Sequence, residues 1–166
     1  GPGGYVAAIR ASQLGKKTAI IEESHMGGIC LNWGCIPTKF LLNNAHLFDL
    51  IHNAGKYGIE VGDVKVNWPK MIKRSRDVAK RLSKGVEFLM KKNKIDYIPA
   101  KGKLKGEGRV TIIDKNGSTV EAFSENIIIA TGAKPKWFPN MEVDGNNIIS
   151  YKEAMILDKK PKSLVI

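Results

Sequence analysis

Two long stretches of the chain repeat apolar residues at helical spacing, and each predicts an amphipathic helix. The first helix is expected from about 37 to 53 and the second from about 69 to 92. The apolar stripe of the second helix consists of Ile72, Ala79, Leu82, Val86 and Leu89.

After the second helix the period changes, and short runs rich in β-branched residues predict strands. These runs cover residues 95–99, 109–114, 118–123 and 126–130. Lys115-Asn116-Gly117 supplies the turn chemistry of a hairpin. Gly102, Gly106 and Gly108 are expected in the loops between strands, and residues 162–166 are typical of a strand that has just begun.

The start of the chain combines a glycine-rich turn, a helix and a short strand. Gly1 to Gly4 lead into an Ala-rich amphipathic stretch from about Tyr5, which Gly15 would close, and a β-branched run then ends at Glu22. This order is typical of the second half of a dinucleotide-binding βαβ unit, so we expect the chain to start inside that motif. The predicted fold is therefore α/β: a Rossmann-like domain with a parallel sheet, helices and an inserted antiparallel β-meander, its first strand missing.

The composition is that of an ordinary globular chain: 166 residues, 43% hydrophobic and 26% charged, with two cysteines. It disfavours intrinsic disorder, a collagen-like repeat and a disulfide-stapled miniprotein. No run of about 18 uncharged apolar residues occurs, and no basic segment followed by an apolar one opens the chain, so neither a membrane span nor an export signal is expected.

Basic residues are in excess, and the formal net charge is +11. Between Lys70 and Lys94 there are ten Lys or Arg residues against Asp77 and Glu87, which predicts a strongly basic helix face. Two interpretations are open: a surface for nucleic acid or another polyanion, or a solvated face balanced by acidic surfaces elsewhere in the complete protein.

Both cysteines lie in the segment Gly27 to Lys39, with four residues between them. This spacing excludes a tight C-x-x-C zinc site, and no second cysteine pair or histidine cluster completes a tetrahedral set, so no metal is expected. The two remaining interpretations are a pair of inert buried thiols and a redox-active dithiol–disulfide pair.

Local sequence favours the redox pair. Gly34 permits a sharp turn and Pro37 suits an early helical position, so Cys35 is expected at or next to a helix N-cap, where the helix dipole favours a thiolate. Lys39 adds a second positive influence on that thiol. Cys30, in an extended lead-in, would form the disulfide if the two Cα atoms approach within about 7 Å.

This segment, Cys30-Leu31-Asn32-Trp33-Gly34-Cys35-Ile36-Pro37-Thr38-Lys39, resembles the redox segment of the pyridine nucleotide–disulfide oxidoreductases. The resemblance extends over nearly the whole chain, including the glycine-rich start and the run from Ile127 to Pro135. Within that family the segment is most similar to the dihydrolipoamide dehydrogenase branch, because glutathione and mercuric reductases tend to carry Val at positions 31 and 36.

The resemblance implies that the chain binds FAD. Gly1 and Gly4 would let the backbone approach the pyrophosphate at the helix N-terminus, and Glu22 would accept hydrogen bonds from the adenosine ribose. Many members carry Thr at position 29, so Ile29 would serve only through its backbone N–H. The implied cofactor-binding residues are Gly1, Gly4, Glu22, Glu23, Gly28, Ile29, Cys30, Lys39, Gly102, Thr131 and Gly132.

The resemblance also implies catalytic roles for Cys30, Cys35 and Lys39. Cys35 would be the thiol next to the flavin, Cys30 the interchange thiol that meets dihydrolipoamide, and Lys39 the neighbour of flavin N5. The acid–base histidine of the family belongs to a C-terminal pair from the partner subunit. The three histidines of this chain are therefore expected to be surface or half-buried side chains, namely His25, His46 and His52.

Taken together, residues 1–161 are expected to be a FAD-binding domain with a redox disulfide, and residues 162–166 the first strand of a NAD-binding domain. The implied function is electron transfer from dihydrolipoamide to NAD, although the fragment alone is expected to be inactive.

The implied partners are lipoyl domains of 2-oxoacid dehydrogenase complexes or of the glycine cleavage system, and a second copy of the full-length protein, without nucleic acid or membrane. Bacterial cytoplasm is the expected location, with the mitochondrial matrix as alternative. The competing functions are another flavin disulfide reductase or a polyanion-binding module.

Overall fold

The computed structural model describes all 166 residues, which form two compact units. The first unit contains Gly1–Cys30 and Arg81–Lys134, and the second contains Leu31–Lys80 and Pro135–Ile166. Helix α4, Trp68–Lys92, contributes residues to both. No helix combines the length and the apolar character that a bilayer crossing requires.

The first unit begins with a helix followed by a strand of a parallel pair. Helix α1 spans Pro2–Gln13, and Gly15, with φ of +81°, follows its end in the left-handed conformation expected there. Strand β1, Ala19–Ile21, pairs in parallel with β2, Asp96–Ile98, so that Ile20 lies opposite Tyr97. The predicted helix–strand order and the parallel pairing are confirmed.

The rest of the first unit is dominated by the predicted antiparallel meander. Its strands are β3, Lys101–Gly106; β4, Arg109–Ile113; and β5, Thr119–Phe123, in the order β3-β4-β5. The predicted hairpin turn forms, and the Asp114 carboxylate accepts hydrogen bonds from the backbone N–H groups of Asn116 and Ser118.

The prediction that Gly102 and Gly106 lie in loops was wrong, because both belong to β3. In this strand lysines alternate with Gly and Leu, so the run lacks the β-branched residues that predict strands. The cross-strand hydrogen bonds to β4 decide the conformation instead.

The second unit is mainly helical. Helix α2, Gly28–Asn32, ends in this unit; α3 spans Cys35–His52; a short 3₁₀ turn covers Ala54–Tyr57; and α5 spans Tyr151–Ala154. Ser150 and Glu153 form a capping box at the start of α5. The Trp68 indole N–H donates to the Leu157 carbonyl oxygen at 2.7 Å, which fixes the chain after α5 against the start of α4.

The buried stripe of α4 differs from the prediction. Leu82 and Leu89 are each 37% exposed, whereas Ser75 and Ser83 are buried. The Ser75 hydroxyl donates to the Ile72 carbonyl and the Ser83 hydroxyl to the Met26 carbonyl, so burial leaves neither without a hydrogen bond. The observed stripe consists of Ile72, Ser75, Ala79, Ser83, Val86 and Met90.

Two segments predicted as strands, residues 126–130 and 162–166, are not strands in the structure. Neither pairs with another strand in a hydrogen-bonded ladder, and a β-branched run alone does not supply one. Ile128 and Ile129 are accordingly about two-thirds exposed, at 68% and 67%.

Candidate cofactor and redox site

The first helix begins earlier than predicted, at Pro2 rather than near Tyr5. A proline at the first helical position lacks only an N–H that the helix would leave unpaired, and its fixed φ suits the helix. The Gly1 carbonyl oxygen accepts from the N–H groups of Gly4 and Tyr5, at 3.0 and 3.1 Å. The helix therefore starts within the glycine-rich segment itself, with no acidic side chain in its first turn.

Gly1 and Gly28 make an unusually close backbone contact. A Cβ atom on Gly28 would lie 2.4 Å from the Gly1 Cα atom, and Gly28 also has a φ of +61°, which disfavours any side chain. At Gly4, an added Cβ would reach the Cβ of Ala130 at 3.6 Å and Ile20 Cδ1 at 3.8 Å. At the α1 N-terminus the Gly1 and Gly28 backbones thus approach closely, and Gly4 leaves room for the Ala130 and Ile20 side chains.

Glu22 lies at the carboxyl end of β1, beside this N-terminus. Its backbone N–H donates to Ile98, and its Oε1 accepts from the Ser24 N–H at 2.9 Å. Its Oε2 lies 3.9 Å from the Gly1 nitrogen. Glu22 is half-buried and oriented, whereas the neighbouring Glu23 is exposed.

Tyr97 is a neighbour of Glu22 that the sequence analysis did not identify. Parallel pairing with Ile20 puts Tyr97 on the face of the sheet that also carries Glu22, which follows the last residue of β1. Burial, and then the negative charges of Glu87 and Glu22, raise the pKa of the Tyr97 phenol.

The remaining predicted contacts of the first unit lie near the same strand end. An added Cβ on Gly102 would touch Ile21 Cγ2 at 3.5 Å, which places β3 against the last residue of β1. Thr131 and Gly132 are exposed and follow Ala130, the residue that meets Gly4. Gly132 has a φ of +75°, which turns the chain there.

The donor set at the α1 N-terminus fits a dinucleotide. A helix N-terminus offers backbone N–H groups and a positive dipole end to a diphosphate, and the glycines leave no side chain in the way. Glu22 supplies a carboxylate of the kind that binds ribose hydroxyls. Gly1, Gly4, Glu22 and Gly28, four of the residues predicted to bind the cofactor, thus lie within one unit.

The prediction that Cys30 lies in an extended lead-in was wrong, since Cys30 belongs to helix α2. Gly27 and Gly28 both have positive φ, +89° and +61°, and turn the chain sharply enough for one helical turn to follow. Cys30 is half-buried, and the neighbouring Ile29 side chain is 41% exposed.

Cys35 is the first residue of α3, as the prediction of a helix N-terminus required. Gly34 is the N-cap, Pro37 is buried, and the Thr38 N–H donates to the Gly34 carbonyl at 3.0 Å. The first turn has no acidic residue, so the helix dipole acts on the exposed thiol without an opposing charge. Lys39, also exposed, lies four residues on and shares the helix face of Cys35.

Arg76 is the residue of the second unit that sequence reasoning missed. Its Nη1 donates to the Asn32 carbonyl oxygen at 2.6 Å, and its guanidinium carbon lies 5.0 Å from the centre of the Trp33 ring. Burial lowers the pKa of the guanidinium below its ordinary value. The sequence carries one indication that Arg76 lies near the buried stripe of α4. It follows Ile72 by four residues and precedes Ala79 by three, and both of these residues belong to the stripe.

The other candidate groups remain apart from these features. The three histidines are exposed, and the Phe48 and His52 rings stack at 6.1 Å. No group of three or more His, Cys, Asp or Glu side chains is arranged to hold a metal ion. The other nine basic residues between Lys70 and Lys94 are exposed, which agrees with the predicted basic face of α4.

Curated relatives match the whole chain. It is 45% identical over 166 residues to a dihydrolipoyl dehydrogenase of Chlorobaculum tepidum, 48% over 181 residues to one of Rhizobium etli, and 44% over 169 residues to the mitochondrial one of Rattus norvegicus. All of this chain is covered in each match, but only 35%, 38% and 33% of the respective relative. The chain thus spans about a third of the length of these proteins.

A solved protein structure also resembles this chain. The crystal structure of LpdA from Mycobacterium tuberculosis superimposes with a TM-score of 0.86 over 96% of this chain and 36% of LpdA, at 23% identity. This likeness confirms the predicted Rossmann-like α/β fold. The family described as pyridine nucleotide-disulphide oxidoreductase matches residues 1–166. Since that match includes every residue, the chain belongs to the pyridine nucleotide-disulphide oxidoreductase family.

Proposed function

We propose that this chain is the FAD-binding, cysteine-bearing part of a dihydrolipoamide dehydrogenase, an enzyme that oxidises protein-bound dihydrolipoamide with NAD⁺ as acceptor. The observation that carries the proposal is the exposed Cys35 thiol at the first residue of α3, with Cys30 five positions earlier. The identity of 44–48% to dihydrolipoyl dehydrogenases over the whole chain supports it.

In this proposal the first unit provides most of the FAD contacts. The backbone at Gly1, Gly4, Gly28 and Ile29 would bind the pyrophosphate, and Glu22 with Glu23 the ribose. Gly102, Thr131 and Gly132 would meet other parts of the cofactor, and Cys30 and Lys39 its flavin end. When bound, FAD supplies two-electron transfer between the cysteine pair and the nicotinamide.

The cysteine pair would exchange electrons with dihydrolipoamide through thiol–disulfide exchange. One substrate thiolate attacks the Cys30 sulfur and breaks the Cys30–Cys35 bond, so that Cys35 leaves as a thiolate. The second substrate thiol loses its proton to a base, closes the lipoamide disulfide and releases Cys30. The substrate thereby gives up two electrons and two protons, and the α3 N-terminus stabilises the thiolate left on Cys35.

The domain boundaries and partners belong to the same proposal. Residues 1–161 would form the FAD-binding domain, and residues 162–166 would lead into a domain that binds NAD. The full-length protein would be a homodimer that meets lipoyl domains of a 2-oxoacid dehydrogenase complex or of the glycine cleavage system. The matched relatives include bacterial and mitochondrial proteins, and we favour a bacterial cytoplasm.

Purified full-length protein tests the proposal in two steps. It should be yellow, with a flavin spectrum, and should reduce NAD⁺ with dihydrolipoamide far faster than it reduces glutathione disulfide with a nicotinamide donor. A colourless protein that FAD does not reconstitute would contradict the cofactor assignment. A flavin-loaded protein that prefers glutathione disulfide would instead contradict the assigned substrate.

A further inference from the structure

The chain between the two cysteines is held by one side chain from α4. Arg76 donates from Nη1 to the Asn32 carbonyl oxygen at 2.6 Å and lies over the Trp33 ring at 5.0 Å. Its Nε lies 3.5 Å from the Ser75 hydroxyl oxygen, and that hydroxyl is itself fixed on the Ile72 carbonyl. A charge-assisted hydrogen bond and a cation–π contact therefore act on two consecutive residues.

Solvation alone does not explain this position of Arg76. The other basic residues between Lys70 and Lys94 are exposed, whereas Arg76 is half-buried and its Nη2 is buried with no hydrogen-bond partner. Withdrawing a cation from water costs free energy, and a buried donor without a partner adds to that cost. The contacts with Asn32 and Trp33 offset the cost, so the interaction fixes their segment in place.

Asn32 and Trp33 are the middle two of the four residues that separate Cys30 from Cys35. Closing a disulfide fixes the backbone between its cysteines, and each residue newly fixed loses conformational entropy. If Asn32 and Trp33 are already fixed in the dithiol, ring closure loses less entropy. A segment held in a conformation from which the two sulfurs can bond therefore favours the disulfide over the dithiol.

We propose that Arg76 is a positioning residue for the redox pair, which stabilises the Cys30–Cys35 disulfide by holding Asn32 and Trp33 in one conformation. This inference rests on the proposed function, because it requires the two cysteines to form a disulfide. The expected effect comes from the planar guanidinium of Arg76, which can stack on a ring, and not from its positive charge alone.

The test is the dithiol–disulfide equilibrium of the full-length protein in dithiothreitol buffers. Reduction breaks the Cys30–Cys35 bond with two electrons and two protons from dithiothreitol, whose own two thiols close to a ring disulfide. Residues 18–39 form one tryptic peptide that contains both cysteines, so labelled thiols in it can be counted by mass spectrometry. Arg76→Met is compared with Lys80→Met, which changes an exposed lysine one turn along α4.

Arg76→Met should lower the equilibrium constant for disulfide formation about tenfold, which raises the reduction potential by about 30 mV for two electrons. Lys80→Met should stay within twofold of wild type. Arg76→Lys keeps the charge but loses the planar group, and should lie between wild type and Arg76→Met. Circular dichroism and thermal unfolding identify variants that do not fold, and if Arg76→Met is one of them, Arg76→Lys decides alone.

The inference is overturned if Arg76→Met behaves like Lys80→Met, or if Arg76→Lys equals wild type, which would leave only an effect of charge. A lower unfolding temperature with an unchanged equilibrium constant would also overturn it, because that result assigns Arg76 a purely structural role. If the wild-type peptide carries two reactive thiols in every buffer, the proposed function itself fails.

Discussion

The N-termini of α1 and α3 are built alike and differ in what they present. Each helix begins after a glycine N-cap, has a proline in its first turn and carries no acidic residue there. At α1 the neighbouring groups are glycine backbones, whereas at α3 the first residue is an exposed cysteine. The same positive helix end thus suits an external anion in one unit and a thiolate of the chain itself in the other.

The two helix starts show that the side chains around a helix N-terminus decide which negative group it stabilises. Where the ligand brings the negative charge, the protein keeps side chains away, and at Gly28 an added Cβ would lie 2.4 Å from the Gly1 Cα atom. Where the chain supplies the charge, a single side chain at the first helical position suffices. Substitutions at the two helix starts should therefore affect different properties of the full-length protein.

The largest effect is expected from Cys35→Ser. Removing the thiol from α3 should lower dihydrolipoamide-dependent NAD⁺ reduction by about 10³-fold or more, because a hydroxyl does not carry out thiol–disulfide exchange. The flavin content, which the proposed function assigns mainly to α1, should remain that of wild type. Asn43→Ser, at an exposed position of the same helix, is the control and should keep its turnover. Wild-type turnover in Cys35→Ser would refute the assignment of the pair.

Gly28→Ala should disrupt the packing at the N-terminus of α1. The added methyl group collides with Gly1, and φ of +61° strains it further, so the free energy of unfolding should fall by about 3 kcal/mol and flavin should be lost. Gly85→Ala is the matched control, because its Cβ meets nothing within 4 Å and alanine favours helix α4. Denaturant titration and flavin absorbance measure both variants. Equal stability and flavin content in Gly28→Ala and Gly85→Ala would contradict the close approach of Gly28 to Gly1.

A smaller effect is expected from Glu22→Ala, which removes one side chain but leaves the α1 backbone intact. Loss of a charged hydrogen-bond acceptor should weaken FAD binding about tenfold, with little change in unfolding. Flavin remaining after dialysis gives the measurement, and Glu125→Ala, at an exposed position of the first unit, is the control. Unchanged FAD retention in Glu22→Ala would show that the carboxylate does not hold the ribose.

Local sequence determined those parts of the fold that depend on neighbours along the chain. The helices α1, α3 and α4, the turn at Asn116 and Gly117, and the position of Cys35 at a helix start all follow from periodicity and from Gly and Pro. Glu22 at the end of β1 follows in the same way. These features are predictable because their hydrogen bonds or their capping residues lie within a few positions of one another.

Tertiary structure decided what depends on partners distant in sequence. Residues 101–106 form β3 because β4 pairs with them, while residues 126–130, although rich in isoleucine, form no strand because no strand pairs with them. Ser83 is buried in α4 while Leu82 is not, because the Met26 carbonyl, 57 positions away, accepts from its hydroxyl. Arg76 is one of ten basic residues in its region, and its contacts with the Asn32 carbonyl, 44 positions away, and with the Trp33 ring distinguish it. Hydrogen bonds over such distances have no local pattern, so only the folded chain reveals them.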